Sequence, residues 1–343
     1  MIPTLERLLR ERWPTYFPER SMPHRVRLAL LSTSREPGGT RVLLAFADHD
    51  PLPSLVGKVP RDPNKVQALE HEWQRLNQLH QGAVEELLLS LPRPLERMEL
   101  HGGVVYLQTA LPGRNLKTAI QRGERLLSPA QVEADLHRVS RWLELLQKSP
   151  VPEALLPGEG GVQPLVHPLR EVLPTLSREG VLTSEQGEAL LAAAALLEQA
   201  QGGRACWVHG DLWPGNVLIH QERWSFLDWD GLEVGGPFFD RVWFALHYGM
   251  LGHARLIGRE DLGEGFRRVL FMEHPLSDAV LGQLRATVQG PGLEAGAARD
   301  YLAVLMGIEA GRILEGRSRR RAFDLHAATL LREWFGYPER VRL

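Results

Sequence analysis

The sequence predicts an α+β chain of two lobes, a small β-rich lobe over residues 1–112 and a larger α-helical lobe over 113–343. Short apolar runs split by turn residues fill the part before Leu111, with one helical stretch among them. After Leu111-Pro112-Gly113 the apolar spacing changes almost wholly to threes and fours, the period of a helix. The length of 343 residues suits two domains or large lobes, at roughly 100–200 residues each.

Residues 2–12 read as a short leading helix closed by Pro14 and Pro18. Three strand-like runs follow, Val26–Leu31, Val42–Ala47 and Ser54–Val59, separated by the turn-rich segments Ser34–Gly39 and Asp48–Pro53, which is the pattern of an antiparallel meander. From Asn64 to His80 the residues Leu69, Trp73, Leu76 and Leu79 recur at helical spacing. Pro94–Leu100 and Val104–Thr109 then flank a His101-Gly102-Gly103 turn as two further strands. In the second lobe the longest helix, Gln131–Lys148, follows Ser128-Pro129, an N-cap with proline at the first helical position. It carries Val132, Leu136, Val139, Trp142, Leu143 and Leu146 on one stripe. Gly158, Gly160 and Gly161 read as a loop, because no strand and helix frame them as in a dinucleotide fingerprint.

Composition removes several functional classes. Forty basic residues against 42 acidic ones leave a net charge of −2, which gives no bulk electrostatic support for nucleic-acid binding. Cys206 is the only cysteine, so no intramolecular disulfide forms and a reducing compartment suits the chain. The charged start, Met1 to Arg12, lacks the apolar core of a secretory signal, and the expectation is a cytoplasmic protein. The longest apolar run, Ala189–Leu197, is far below the roughly 20 residues of a membrane-spanning helix and reads as a buried helix. Of the 40 basic residues only four are lysines: Lys58, Lys65, Lys117 and Lys148.

The segment Cys206-Trp207-Val208-His209-Gly210-Asp211-Leu212-Trp213-Pro214-Gly215-Asn216 carries the chemistry. An aspartate just after a strand can sit at a cleft floor and orient an attacking hydroxyl or take its proton, which is the role expected of Asp211. Five residues on, Asn216 offers a neutral amide oxygen suited to a hard cation such as Mg²⁺. Twelve residues later Asp228 ends a second strand, Trp224–Leu227, and would supply the second metal ligand. This order matches the catalytic loop and metal loop of protein kinases, and so predicts a bilobal, protein-kinase-like fold. Taken singly, Asp211 and Asn216 also fit turn residues, Asp228 and Asp230 fit hairpin caps, and His209 fits a hydrogen-bonded core histidine. Taken jointly, in this order between two apolar strands, they favour the chemical reading.

Phosphoryl transfer also needs a cation on the nucleotide phosphates. Lys58 lies inside an apolar strand, and in a chain so poor in lysine that placement is informative. Glu72 on the following helix is the expected partner that would hold the ammonium toward phosphate, with Glu70, on another face, as the fallback.

These residues together resemble the aminoglycoside phosphotransferase and choline kinase-like family of small-molecule kinases. The matching pieces are Lys58 in Gly-Lys-Val-Pro, Glu72 in His-Glu-Trp-Gln-Arg-Leu, His209-Gly-Asp211 with Asn216, and Leu227-Asp228-Trp229-Asp230 followed by Gly236-Pro237 and Asp240. The His-Gly-Asp-Leu-Trp-x-Gly-Asn string is also similar to fructosamine kinases. The resemblance implies ATP and Mg²⁺ as cofactors, Asp211 as catalytic aspartate, Asn216 and Asp228 as metal ligands, Lys58 on the ATP phosphates and Asp240 in a structural role. The adenine is expected against the connector Gln108–Leu111, at the backbone of Gln108, Ala110 and Leu111. The acceptor would be a hydroxyl of a small molecule: an aminoglycoside, another sugar, an amino alcohol or a glycated amine. A nucleotide-binding regulatory protein without turnover is the alternative. Two departures stand out: Ser32–Gly39 lacks the Gly-x-Gly-x-x-Gly of a phosphate-covering turn, and Gln147 replaces a histidine frequent in the family.

Among further candidates, Trp207, Trp213, Trp224 and Trp229 read mainly as packing, with Trp213 the best placed for substrate contact. Asp300, Glu309 and Glu315 are candidates for attracting a cationic acceptor, or surface charges. Arg317-Ser318-Arg319-Arg320-Arg321 reads as a solvated loop. His209, His247 and His253 have no zinc-site spacing.

Overall fold

A computed structural model describes residues 2–31, 39–100, 103–156, 165–200, 206–258, 261–289, 293–294, 296–315, 327–337 and 340–343. Most of the Ser32–Gly39 turn, His101-Gly102, the glycines at 158, 160 and 161 and the arginine run at 317–321 lie outside them. The chain divides into two compact units, Met1–Asn115 with Asn216–Leu232, and Leu116–Gly215 with Glu233–Leu343. Where the sequence suggests one cut near residue 112, the chain passes between units three times, and residues 216–232 group with the N-terminal part.

The first unit is built on a five-stranded antiparallel sheet in the order β1-β2-β3-β5-β4. Its strands are β1 (Val26–Leu31), β2 (Thr40–Ala47), β3 (Leu55–Pro60), β4 (Pro94–Leu100) and β5 (Gly103–Thr109). One face is covered by the amphipathic leading helix α1 (Ile2–Glu11) and the short α2 (Trp13–Tyr16). Leu5, Leu9, Trp13, Tyr16 and Phe17 are buried there against Val26, Leu43, Ala45, Leu55, Val105 and Leu107. At about 1.5–3 kcal/mol for each large apolar side chain withdrawn from water, this layer is the main hold on the sheet. The other face receives α3 (Pro63–Gly82), whose Val66, Leu69 and Trp73 pack on Val104 and Tyr106. Asp62 caps α3 by accepting from the Lys65 amide, with Pro63 at the first helical position. The short α4 (Glu85–Leu88) leads back to β4.

A smaller sheet completes this unit: β6 (Arg114–Asn115), β8 (Val217–His220) and β9 (Arg223–Phe226) in the order β6-β8-β9. The β8–β9 hairpin joins the unit through hydrogen bonds as well as pairing, since the Phe226 amide donates to the Ser90 carbonyl.

The second unit contains α5 (Leu116–Gln121), α6 (Pro129–Lys148), α7 (Val166–Arg178), α8 (Ser184–Ala200) and the strand pair β7 (Cys206–Val208) with β10 (Glu233–Gly235). Then come α9 (Phe239–Ile257), α10 (Leu262–Phe271), α11 (Pro275–Thr287), α12 (Ala297–Leu314) and α13 (Ala327–Gly336). In α6 the buried residues are the six of the apolar stripe plus Asp135, and Ser128 caps it as expected. Asp135 is held by Arg125, the Gln131 amide and the Tyr248 hydroxyl, which satisfies a carboxylate removed from water. Helices α9 and α12 are buried around most of their circumference and form the centre of the unit. The run Ala189–Leu197 is helical but buries only one side: Leu190, Ala194 and Leu197 are enclosed, whereas Leu196 is exposed. Among the described residues no helix is long and apolar enough to cross a membrane.

Candidate active site

In the first unit the sheet register decides which side chains share a face. Leu31, Val42, Lys58 and Tyr106 are directly paired across β1, β2, β3 and β5, as are Ala29, Leu44, Val56 and Gln108. Directly opposed residues point the same way, so Lys58 stands on the face away from α1, among the partly exposed Val42, Leu44 and Val56. These three apolar residues were not singled out in the sequence, although strict alternation with the buried Leu43, Ala45 and Leu55 marks them.

Lys58 Nζ lies 2.6 Å from Glu72 Oε1 and 3.4 Å from Asp228 Oδ1. Burial alone would lower the ammonium's pKa; the Glu72 carboxylate, then Asp228, outweigh it and raise it. Glu70 is engaged elsewhere, by Tyr106, Gln74 and Arg97, so the choice of Glu72 over the fallback follows the geometry. The second carboxylate oxygen of Glu72 is buried and has no hydrogen-bond partner among the described residues.

Asp228 follows β9 with a left-handed backbone, φ +62°. An L-residue there costs roughly 1–2 kcal/mol, a strain typical of residues held for function. The backbone of this turn is tied to Asn216, whose carbonyl accepts from the Leu227 amide at 2.8 Å, and the Asn216 side chain is nearly buried. Asp230 is exposed by surface area yet closely surrounded by protein atoms; that crowding, then the charges of Asp228 and Glu72, raise its carboxyl above the usual carboxylate range. Three carboxylates around Lys58, with an amide oxygen on the same unit, make an oxygen-rich, negatively charged set. That chemistry fits a hard divalent cation. At the connector the Ala110 amide donates to the Ser54 carbonyl at 2.9 Å, and Gln108 is paired with Val56 in the same ladder, so neither backbone is wholly free for a ligand.

In the second unit the loop after β7 is organised by one buried carboxylate. Asp240, in the first turn of α9 and 0% exposed, accepts from the amides of His209 at 2.6 Å and Gly210 at 3.0 Å. Gly210 has φ +80°, where a glycine avoids strain. His209 is fully buried, its ring edge-on to Trp142, and its Nδ1 accepts from the Asp211 amide at 3.4 Å. It is thus a core histidine that shapes the loop, while Asp211 itself remains partly exposed. Gln147 donates to the Pro237 carbonyl at 2.8 Å, tying the end of α6 to the segment before α9.

Trp213 begins an aromatic row that sequence reading had missed. Its ring meets His247 at 6.3 Å, His247 meets Trp243 at 4.4 Å, and Trp243 stacks on Phe239 at 5.8 Å. The signal was available as residues 239, 243 and 247, four apart on one helix. Gly215 is required here, because a Cβ would fall 2.2 Å from the Trp213 ring. Trp207 and Trp229 are fully buried and Trp224 nearly so, leaving Trp213 as the partly exposed one of the four. Glu309 is buried against Arg312 and Glu315 accepts from Thr175. Among the described residues no group of three His, Cys, Asp or Glu side chains is arranged to hold a metal by itself.

The model of a phosphotransferase enzyme family matches residues 39–272. Among solved structures the chain resembles aminoglycoside 2'-phosphotransferase-IIIa in its GDP complex, at 15% identity and a TM-score of 0.53, covering 96% of this chain and 97% of that one. It also resembles a choline kinase from Cryptosporidium parvum, at 12% identity and a TM-score of 0.51, covering 99% of this chain and 96% of that one. No curated protein matches the chain.

Proposed function

The chain belongs to the phosphotransferase enzyme family, and on that premise we propose that it transfers the γ-phosphoryl group of ATP to a hydroxyl of a small molecule. The acceptor is an aminoglycoside, another sugar, an amino alcohol or a glycated amine, and the reaction takes place in the cytoplasm. The observation that carries this reading is the ion pair of Lys58 with Glu72, extended to Asp228, on an apolar sheet face.

In this reading Lys58, braced by Glu72, steadies the nucleotide phosphates, and Val42, Leu44 and Val56 meet the adenine. Gln108, Ala110 and Leu111 meet its edge by backbone groups, for which the Ala110 carbonyl is better suited than its committed N–H. Asn216 and Asp228 would hold Mg²⁺, which would supply positive charge against the phosphates. Asp211 orients the acceptor hydroxyl and takes its proton as oxygen bonds to the γ-phosphorus; the bond to the β-γ bridging oxygen breaks and ADP leaves. Asp240 and His209 hold the Asp211 loop in shape.

The test is nucleotide consumption by the intact chain across aminoglycosides, sugars, amino alcohols and glycated amines, with ATP or GTP as donor and with Mg²⁺ or a chelator. Acceptor-stimulated, Mg²⁺-dependent consumption is expected. Mg²⁺-dependent nucleotide binding with no stimulation by any acceptor would favour the regulatory alternative.

A further inference from the structure

The lysine Lys117, on α5, places its ammonium 5.3 Å from the centre of the Trp213 ring. Trp213 stands two residues after Asp211, so at most about 7 Å of backbone separates them. Among the described residues no carboxylate pairs with Lys117. From this we infer that Lys117 and Trp213 form the recognition element for the acceptor, and that the acceptor carries an anionic group, a carboxylate or phosphate, beside the hydroxyl to be phosphorylated. The inference rests on the phosphotransferase reading and narrows its acceptor class to a sugar or glycated amine that bears an anion, against the aminoglycoside and the amino alcohol.

A surface lysine lying on a tryptophan contributes about 0.5–1 kcal/mol to packing and needs no further purpose. Three observations argue for more. The chain draws all but four of its 40 basic residues from arginine, so this lysine is one of few. The ring beneath it is fixed: His247 meets it edge-on, and Gly215 lets it lie against the backbone. A cation held over an immobile ring, with no internal anion, is preorganised to receive one from outside.

The same arrangement disfavours a polycation. The π face that would attract an ammonium group already has one, and a second cation would meet Lys117 as a like charge. Of the three acids the sequence offers for a cationic acceptor, Glu309 pairs with Arg312 and Glu315 accepts from Thr175, which leaves only the exposed Asp300.

The four lysines make a direct test practical. The intact chain is acylated with an amine-reactive reagent and mapped by mass spectrometry, with the exposed Lys148 as internal reference. Glycerate, gluconate and glycerol phosphate serve as anionic probes, glycerol and glucose as neutral ones, choline and an aminoglycoside as cationic ones. The same compounds are assayed for ATP consumption by wild type and Lys117→Met. Expected are slower labelling of Lys117 with anionic probes only, and an anionic acceptor whose KM rises about tenfold or more in Lys117→Met while the KM for ATP stays within about twofold. Unchanged labelling with every anionic probe overturns the inference, as does a KM effect confined to ATP. Turnover with neutral or cationic acceptors that is insensitive to Lys117→Met also overturns it, while leaving the phosphotransferase reading in place.

Discussion

The two units solve different problems with charge. In the first, Lys58, Glu72, Asp228 and Asp230 lie close together with more negative than positive charge, Asp228 has a strained backbone, and Asp230 is pushed toward its protonated form. In the second, the important charge is hidden: Asp240 is completely buried and spends its carboxylate on two backbone amides, so that Asp211 remains partly exposed on a fixed loop. One unit stores an excess of negative charge that a divalent cation would balance. The other uses balanced charge as scaffolding. Mutations should therefore separate them, binding failing in the first and turnover in the second.

The largest effect is expected from Lys58→Met. Removing one partner of a buried ion pair costs about 3–5 kcal/mol, and nucleotide affinity should fall at least about tenfold. Denaturant unfolding with nucleotide titration checks both, and unchanged affinity would separate Lys58 from the phosphates. Next comes Asp240→Asn, which turns an amide NH₂ toward one of two backbone donors and should cost about 1–3 kcal/mol. Here turnover should fall while nucleotide affinity holds, so weakened affinity with intact turnover would break the division of labour.

A smaller effect of opposite sign is expected from Asp228→Gly. Relief of the left-handed backbone should stabilise the free protein by about 1 kcal/mol, while Mg²⁺-dependent nucleotide binding is lost. A destabilised variant would show that its contact with Lys58 outweighs the strain.

A last prediction, read against pH, concerns His253, buried against Ser277 and His274, with a pKa lowered to about 4 by burial and then by His274 and Arg268. The unfolded chain takes up this proton near pH 6.5 and the folded chain only near 4. Stability should therefore fall as pH drops across that window and lose nothing further to His253 below it. The charged neighbours facing it include Glu264, which works in the opposite direction. His253→Gln should flatten the slope of unfolding midpoint against pH, and an unaltered slope would assign the dependence to other groups.

Much of this was legible in the sequence where the signal was local. The strands of the sheet follow from alternation, α6 from its stripe and its Ser128-Pro129 start, and the Lys58–Glu72 pair from one lysine in a strand and one helix face opposite it. Non-local features were not. That residues 216–232 join the N-terminal unit depends on β6–β8 pairing and on the Ser90–Phe226 hydrogen bond, between segments more than a hundred residues apart. The left-handed Asp228 is invisible because aspartate takes ordinary backbones far more often and a left-handed one only where its surroundings hold it there. Leu196 looked buried because a run of apolar residues hides which helix face meets a neighbour.

The central claim is that Asp211 serves the chemical step and not the binding of nucleotide. It is tested most directly by measuring Mg²⁺-nucleotide affinity and acceptor-stimulated turnover side by side for wild type and Asp211→Asn. The account predicts affinity within about twofold and turnover lower by about a hundredfold or more; full turnover in the variant would contradict it.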